Sequence, residues 1–359
     1  MGEGEKVLCD LLEGIKQGRP VNNIRGLAFL KDNIPIVNQA LPLLDLDELP
    51  LPDRRFLDLP LYKGESTPGL PGRKTAVIYT SRGCPYACSF CASKIVHRQR
   101  IRFRSMKKIF EEIEDIVALG FNHLTVEDDV FTLDSRRVRE FCSYLIKKHP
   151  QVSWDCDSRV DALNEELLAI MKESQYKKIA MGVESGSPRI LKLINKNIDI
   201  HQVKAAFQLT KKMGIATQAF FMLGSPDETL EDIKMTEKLI FEIDPDFLFL
   251  SIFVPYPGTA LYNDMLKAGL LAEGKWDSFI FFGQTVPWRT HHFSNQDLVR
   301  IRKGISRRFY FRLSYMYKKL SAVRGKEDLR YLIRGGIVAF RTILPSENKF
   351  TKSRELIAK

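Results

Sequence analysis

Long apolar runs and cysteine are both scarce in this 359-residue chain. No uninterrupted apolar stretch approaches the ~20 residues of a membrane-spanning helix, so a bilayer-spanning topology is not expected. The opening residues, Met1-Gly2-Glu3-Gly4-Glu5-Lys6, place acids where a secretory leader carries basic residues, so no signal peptide is expected. Six cysteines, three of them crowded together, do not make a disulfide framework, and a reducing, cytoplasmic setting follows. Acidic residues are short only at one end. Residues 300–359 hold 17 Lys+Arg against 4 Asp+Glu, while the rest holds 38 against 40. The net charge of +11 therefore belongs to a tail, and the body is close to neutral. Hydrophobic content of 44% with 28% charged residues is that of an ordinary globular protein.

What is present is organised around Cys84-Pro85-Tyr86-Ala87-Cys88-Ser89-Phe90-Cys91. Three thiols spaced three and then two residues apart can converge on one metal centre. A structural zinc would need a fourth Cys or His, and none lies within sequence reach. A 4Fe–4S cube held by three thiolates leaves one iron open for a substrate or cofactor. Plain buried hydrophobes are the bland alternative. Cys9, Cys142 and Cys156 lack metal-binding spacing and read as buried thiols. His291 and His292 are adjacent, and side chains of neighbours point apart.

From about residue 75 to 269 strand and helix signals alternate. Strands are expected at 75–80, 122–126, 152–156, 178–183, 217–223 and 247–254. Helices are expected at 105–119, 135–148, 165–172, 200–213 and 229–242, the first capped by Ser105 and closed by Gly120. Such alternation predicts parallel strands with right-handed crossovers. Glycines and polar residues follow the strands, at the end where βα barrels place their sites. The fold class is α/β, a (βα)6 partial TIM barrel.

The CxxxCxxC loop resembles the cluster motif of the radical S-adenosylmethionine (radical SAM) enzymes. An apolar strand precedes it, Arg82-Gly83 turn into it, and Phe90 matches the aromatic that commonly precedes the last cysteine. The resemblance covers about 200 residues and implies the same partial barrel. It implies that Cys84, Cys88 and Cys91 hold a 4Fe–4S cluster whose open iron takes the amino and carboxylate groups of S-adenosylmethionine. Glu127, Asp128 and Asp129 then stand where the family contacts the methionine amino group, in an acidic element without the usual paired glycines. Glu184 and Ser185 match a strand-four element near the ribose and carboxylate, and Arg159 could pair with a carboxylate. Gly224, Pro255 and Tyr256 lie in loops that match the cobalamin-associated class. For these single residues, ordinary turn or helix-start chemistry is the alternative. The activity implied is reductive cleavage of S-adenosylmethionine to a 5′-deoxyadenosyl radical, hydrogen abstraction, and methyl transfer or oxidative cyclisation of a small-molecule or lipid-like substrate. An external electron donor of flavodoxin or ferredoxin type is implied as well.

Residues 1–45 read as an amphipathic helix with Val7, Leu8, Leu11, Leu12 and Ile15 on one face, then a hairpin. They resemble the end of a cobalamin-binding Rossmann-like domain, and the proline-rich 46–74 resembles that class's linker. Cobalamin is therefore an expected cofactor only in part, since no Asp-x-His-x-x-Gly occurs in the chain. The barrel is expected over 75–275 and a basic, mainly helical extension over 276–359. Basic and aromatic residues interleave in that extension. Packing on the barrel is the first expectation for it and contact with a membrane surface the second; nucleic acid is not expected. Competing functions are an RNA-modifying methylthiotransferase, a non-catalytic iron–sulfur or zinc module, and a non-functional gene fragment.

Overall fold

The computed structural model describes residues 2–59, 73–271, 288–323 and 325–343. The boundary expected at 275/276, part of the linker and the chain beyond 343 lie outside the described residues. The chain opens with helix α1 (Glu5–Lys16) and an antiparallel hairpin of β1 (Ala28–Lys31) and β2 (Ile34–Val37). Leu8, Leu12 and Ile15 of α1 and Leu30, Ile34 and Val37 of the hairpin are all exposed.

A six-stranded parallel sheet follows: β3 (Thr75–Ile78), β6 (His123–Val126), β7 (Ser153–Ser158), β8 (Tyr176–Glu184), β9 (Ala216–Leu223) and β10 (Phe247–Ile252). Each strand pairs with its successor in the chain, so β3 and β10 are the edges, as in a singly wound, open barrel. After the short α2 (Ser93–His97), the connecting helices are α3 (Met106–Ala118), α4 (Ser135–Lys148), α5 (Glu165–Glu173), α6 (Pro188–Leu193), α7 (Ile200–Lys212) and α8 (Leu230–Ile243), and α9 (Ala260–Lys267) follows β10. The six strands and five long helices expected from periodicity are all present. Ser105 caps α3 by accepting from the Lys108 N–H, and Gly120 closes it at φ +80°.

Alternation sorts the two faces of the sheet. Leu124, Val126, Trp154, Cys156, Ile179, Met181, Ala219 and Phe221 face the helices and are buried there. Trp154 sits at the centre, edge-on to Phe131 and Phe141, with its indole N–H donating to Ser174. The opposite face lines the barrel and is polar at its floor. There His123 meets Ser153 (2.8 Å) and Asp155 (3.3 Å), and Lys178 bridges Asp155 (3.6 Å) to Gln218 (3.4 Å). Towards the edge the lining turns aromatic, with Phe220 against Phe249.

The described part of the linker is pinned to the barrel. Arg54 donates to the Val77 carbonyl and pairs with Glu112 (2.6 Å), which also takes Arg104. The C-terminal extension forms α10 (Asn295–Tyr310), α11 (Leu313–Ser321) and α12 (Lys326–Ile343). The Tyr310 hydroxyl donates to the Leu248 carbonyl and accepts from its N–H, and the Tyr315 hydroxyl donates to the Asp246 carbonyl. The end of α10 and α11 therefore grip the start of β10, the end of the barrel opposite the cysteine loop. Among the described residues, no helix is long and apolar enough to cross a membrane.

Candidate active site

The cysteine loop grows out of β3 through a backbone that only glycine can take. Gly83 has φ +91°, and a Cβ there would stand 2.0 Å from the Arg100 carbonyl oxygen. Arg100 is that close because β4 (Ser81–Arg82) pairs with β5 (Arg102–Phe103), a small hairpin not visible in the sequence pattern. Asp128 fixes the start of the loop. Its carboxylate accepts the Thr80 N–H and the Thr80 and Ser81 hydroxyls, all at 2.5–2.6 Å. Burial raises the Asp128 pKa, and those bonds oppose the rise.

The three thiols are free of disulfides; Cys88 is buried, and Cys84 and Cys91 are half-buried. Burial pushes the Cys84 thiol up to about 11 and raises Cys91 as well. The neighbouring charge of Asp129 raises Cys84 further. Among the described residues, no three His, Cys, Asp or Glu side chains converge on a point that could hold a metal ion. A single zinc ion asks for that convergence and for a fourth ligand. A cube held by three thiolates asks for no fourth protein ligand, and three cysteines on one loop are that donor set, so the residues fit a 4Fe–4S cluster with one open iron.

The loop is clamped from four sides. The Ser89 N–H donates to the Ile194 carbonyl (2.9 Å), and its hydroxyl reaches Leu193 (3.3 Å). Asn195 donates to the Ala87 carbonyl (2.8 Å), and the Leu261 N–H, at the start of α9, donates to the Ser89 carbonyl (3.2 Å). Gln99 reaches the Pro85 carbonyl (3.2 Å). Arg159 stacks its guanidinium 3.7 Å over the Tyr86 ring, while its fork is filled by Asp161 (2.9 and 3.0 Å) and the Lys196 carbonyl (3.0 Å). Sequence reasoning missed the turn after α6 that supplies these contacts. Its only signal was the pair of asparagines, Asn195 and Asn197, which take positive φ more readily than most residues.

The structure separates the expected cofactor contacts into two groups. Asp128, Arg159, Glu184 and Ser185 are already engaged within the protein. Glu184, at φ +72° beside a bulge in β8, accepts from Lys196 (2.8 Å). Ser185 meets Thr236 (3.1 Å) and accepts the Ser187 N–H. Glu127 and Asp129 lie at the mouth. Asp129 accepts from Ser93 (2.8 Å) and its charge raises both cysteines. Glu127 is raised by desolvation and by Asp155. Gly224 turns at φ +92° and donates its N–H to Glu228, a buried carboxyl pushed up to about 7 by desolvation. The Pro255-Tyr256 loop leads into α9, whose N-cap Thr259 donates its hydroxyl to the Tyr256 carbonyl (2.6 Å). Gly258 of that loop brings its backbone against Ile95, so the loop borders the cysteine segment.

A family model described as the radical SAM superfamily matches residues 78–240, which contain the cysteine loop and four strands of the six-stranded sheet. The chain is also 31% identical over 339 residues to an uncharacterised methyltransferase of Pyrococcus horikoshii, covering 93% of this chain and 72% of that protein. It belongs to the radical SAM superfamily. This radical SAM enzyme is 30% identical over 280 residues to the anaerobic magnesium-protoporphyrin IX monomethyl ester cyclase of Rubrivivax gelatinosus, covering 74% of this chain and 48% of the cyclase. In fold it is similar to the cobalamin-dependent S-adenosylmethionine radical enzyme OxsB, whose structure holds aqua-cobalamin. The TM-score is 0.70 at 17% identity, with 95% of this chain and 55% of OxsB covered. The chain thus spans about half the length of these last two proteins. The family implies a 4Fe–4S cluster and S-adenosylmethionine as cofactors.

Proposed function

We propose that this radical SAM enzyme holds its cluster through Cys84, Cys88 and Cys91 and carries out methyl transfer or oxidative cyclisation on a small-molecule substrate. The observation that carries the reading is the clamped loop of three free thiols at the C-terminal mouth of the barrel. When bound, the cluster and S-adenosylmethionine supply one-electron cleavage of a carbon–sulfur bond and the hydrogen abstraction that follows from it.

The chain's own residues bind, orient and exclude water. Glu127 and Asp129 are the acceptors for the methionine ammonium group, because a carboxylate makes its strongest hydrogen bonds to a cation. Gly224 and the Pro255-Tyr256 loop offer backbone to the nucleoside. Asp128, Arg159, Ser185 and the Glu184–Lys196 pair hold the loops that carry those contacts. The polar floor of Asp155, Lys178 and Gln218, with Phe220 and Phe249 near the edge, suits a substrate that joins a ring or apolar skeleton to polar groups. The methyltransferase and cyclase names among the relatives support the two outcomes. For the first outcome cobalamin, if bound, would supply the methyl carrier, and an external one-electron donor would be needed for either. A cytoplasmic setting, which keeps thiols reduced, completes the reading.

The test is anaerobic reconstitution with iron and sulfide, followed by dithionite and S-adenosylmethionine. The expected result is methionine and 5′-deoxyadenosine, both absent in Cys88→Ala. A colourless, zinc-loaded protein that leaves S-adenosylmethionine intact would overturn the proposal.

A further inference from the structure

The C-terminal helices turn only one face towards the barrel. On α11, Tyr315 donates to the Asp246 carbonyl, Lys318 pairs with Asp246 (2.8 Å), and Lys319 lies 4.0 Å over the Phe247 ring. The opposite face carries Leu313 (84% exposed), Met316, Tyr317 (76% exposed) and Leu320. Their spacing of three, four and seven residues puts them on one stripe. On α12 the same holds for Leu329, Ile333 and Ile337, spaced by four and all exposed. Two consecutive helices therefore present apolar stripes to the outside, and the exposed Lys326, Arg330 and Arg334 stand beside that of α12. These helices belong to the segment in which 17 Lys+Arg meet 4 Asp+Glu, whereas the rest of the chain is nearly neutral.

We infer that the outer face of α11 and α12 is a docking surface for an anionic lipid bilayer. Charge complementarity selects this occupant. A basic helix pair with an outward apolar stripe matches an interface of acidic headgroups over acyl chains, whereas a second copy of the same basic face would bring like charges together. Helices grip the start of β10, so docking would turn the cysteine mouth away from the surface. The inference therefore concerns where the enzyme sits, and stands independently of the proposed chemistry.

The experiment is co-sedimentation of the full chain with vesicles of phosphatidylcholine alone and of phosphatidylcholine with phosphatidylglycerol. Leu313→Glu/Tyr317→Glu is the test variant; both side chains are exposed and remote from the cysteine loop, and circular dichroism checks its folding. The expected result is binding to the phosphatidylglycerol vesicles, weakened by salt and reduced at least about tenfold in the variant. Absence of binding, equal binding to neutral vesicles, or undiminished binding by the folded variant would each overturn the inference. So would a dimer in light scattering that the variant dissolves without any vesicle binding, since a second copy would then cover the face.

Discussion

At the scale of single residues, the site depends on a few positions whose roles are backbone and charge, not reactivity. Gly83 is one. Alanine there would meet the Arg100 carbonyl and hold a strained positive φ, so Gly83→Ala should lose at least about 2 kcal/mol of stability and bind less iron on reconstitution. Thermal unfolding and iron analysis of the variant check both. Asp157, on the inner face of β7, is pushed up to about 7 by desolvation and by the neighbouring Glu127 charge. The folded protein therefore keeps a proton that the unfolded chain gives up from about pH 4 upward. Stability should fall as pH rises from about 4 to about 7, and Asp157→Asn should remove that part of the fall. The gap in melting temperature between variant and parent should widen across that window and stay level above it. A gap that stays constant with pH would show that the carboxyl titrates normally. The cysteine loop was legible in the sequence because its three thiols lie within eight consecutive residues. Asp128 and Arg159 were legible as polar residues at strand ends, but not in their roles, because their partners lie 48 and 73 residues away at Thr80 and Tyr86.

At the scale of elements, the strands and long helices could be read because each repeats its apolar residues at its own period. The short elements could not. α6 has six residues, and β4 and β5 have two each, too few for any period to show. Yet these short pieces hold the cysteine loop. The turn after α6 offers a clean test. Asn195 sits at φ +53° and donates to the Ala87 carbonyl. Asn195→Gly keeps the backbone conformation and loses only the hydrogen bond, while Asn195→Ala loses the bond and adds strain of about 1 kcal/mol. Both variants should retain iron less well than the parent, and alanine should melt below glycine. Equal iron retention in all three proteins would mean that the turn does not position the loop.

At the scale of the whole molecule, the N-terminal segment behaves as part of the barrel's mouth. Glu3 pairs with Arg102 (2.6 Å) and Arg82 (3.1 Å), the residues of the β4–β5 hairpin beside the cysteine loop. Burial alone would raise its carboxyl, but the bonds from Arg102 and Arg82 outweigh it and hold the pKa at about 2. That interaction is in full force above the ordinary carboxylate range near 4.5 and is lost as pH falls towards 2. Glu3→Gln should therefore lower the melting temperature at neutral pH and have little effect near pH 2. The same segment exposes Leu8, Leu12 and Ile15 as an apolar face, which the sequence announced through helical spacing.

The central claim is that three cysteines hold a cluster with one iron open to S-adenosylmethionine. Electron paramagnetic resonance of the reconstituted, dithionite-reduced protein tests it most directly. The account predicts a reduced-cluster signal whose g values shift when S-adenosylmethionine is added, and no signal in Cys84→Ala, Cys88→Ala or Cys91→Ala. A cluster signal that persists without any one of the three cysteines, or that ignores S-adenosylmethionine, would contradict it.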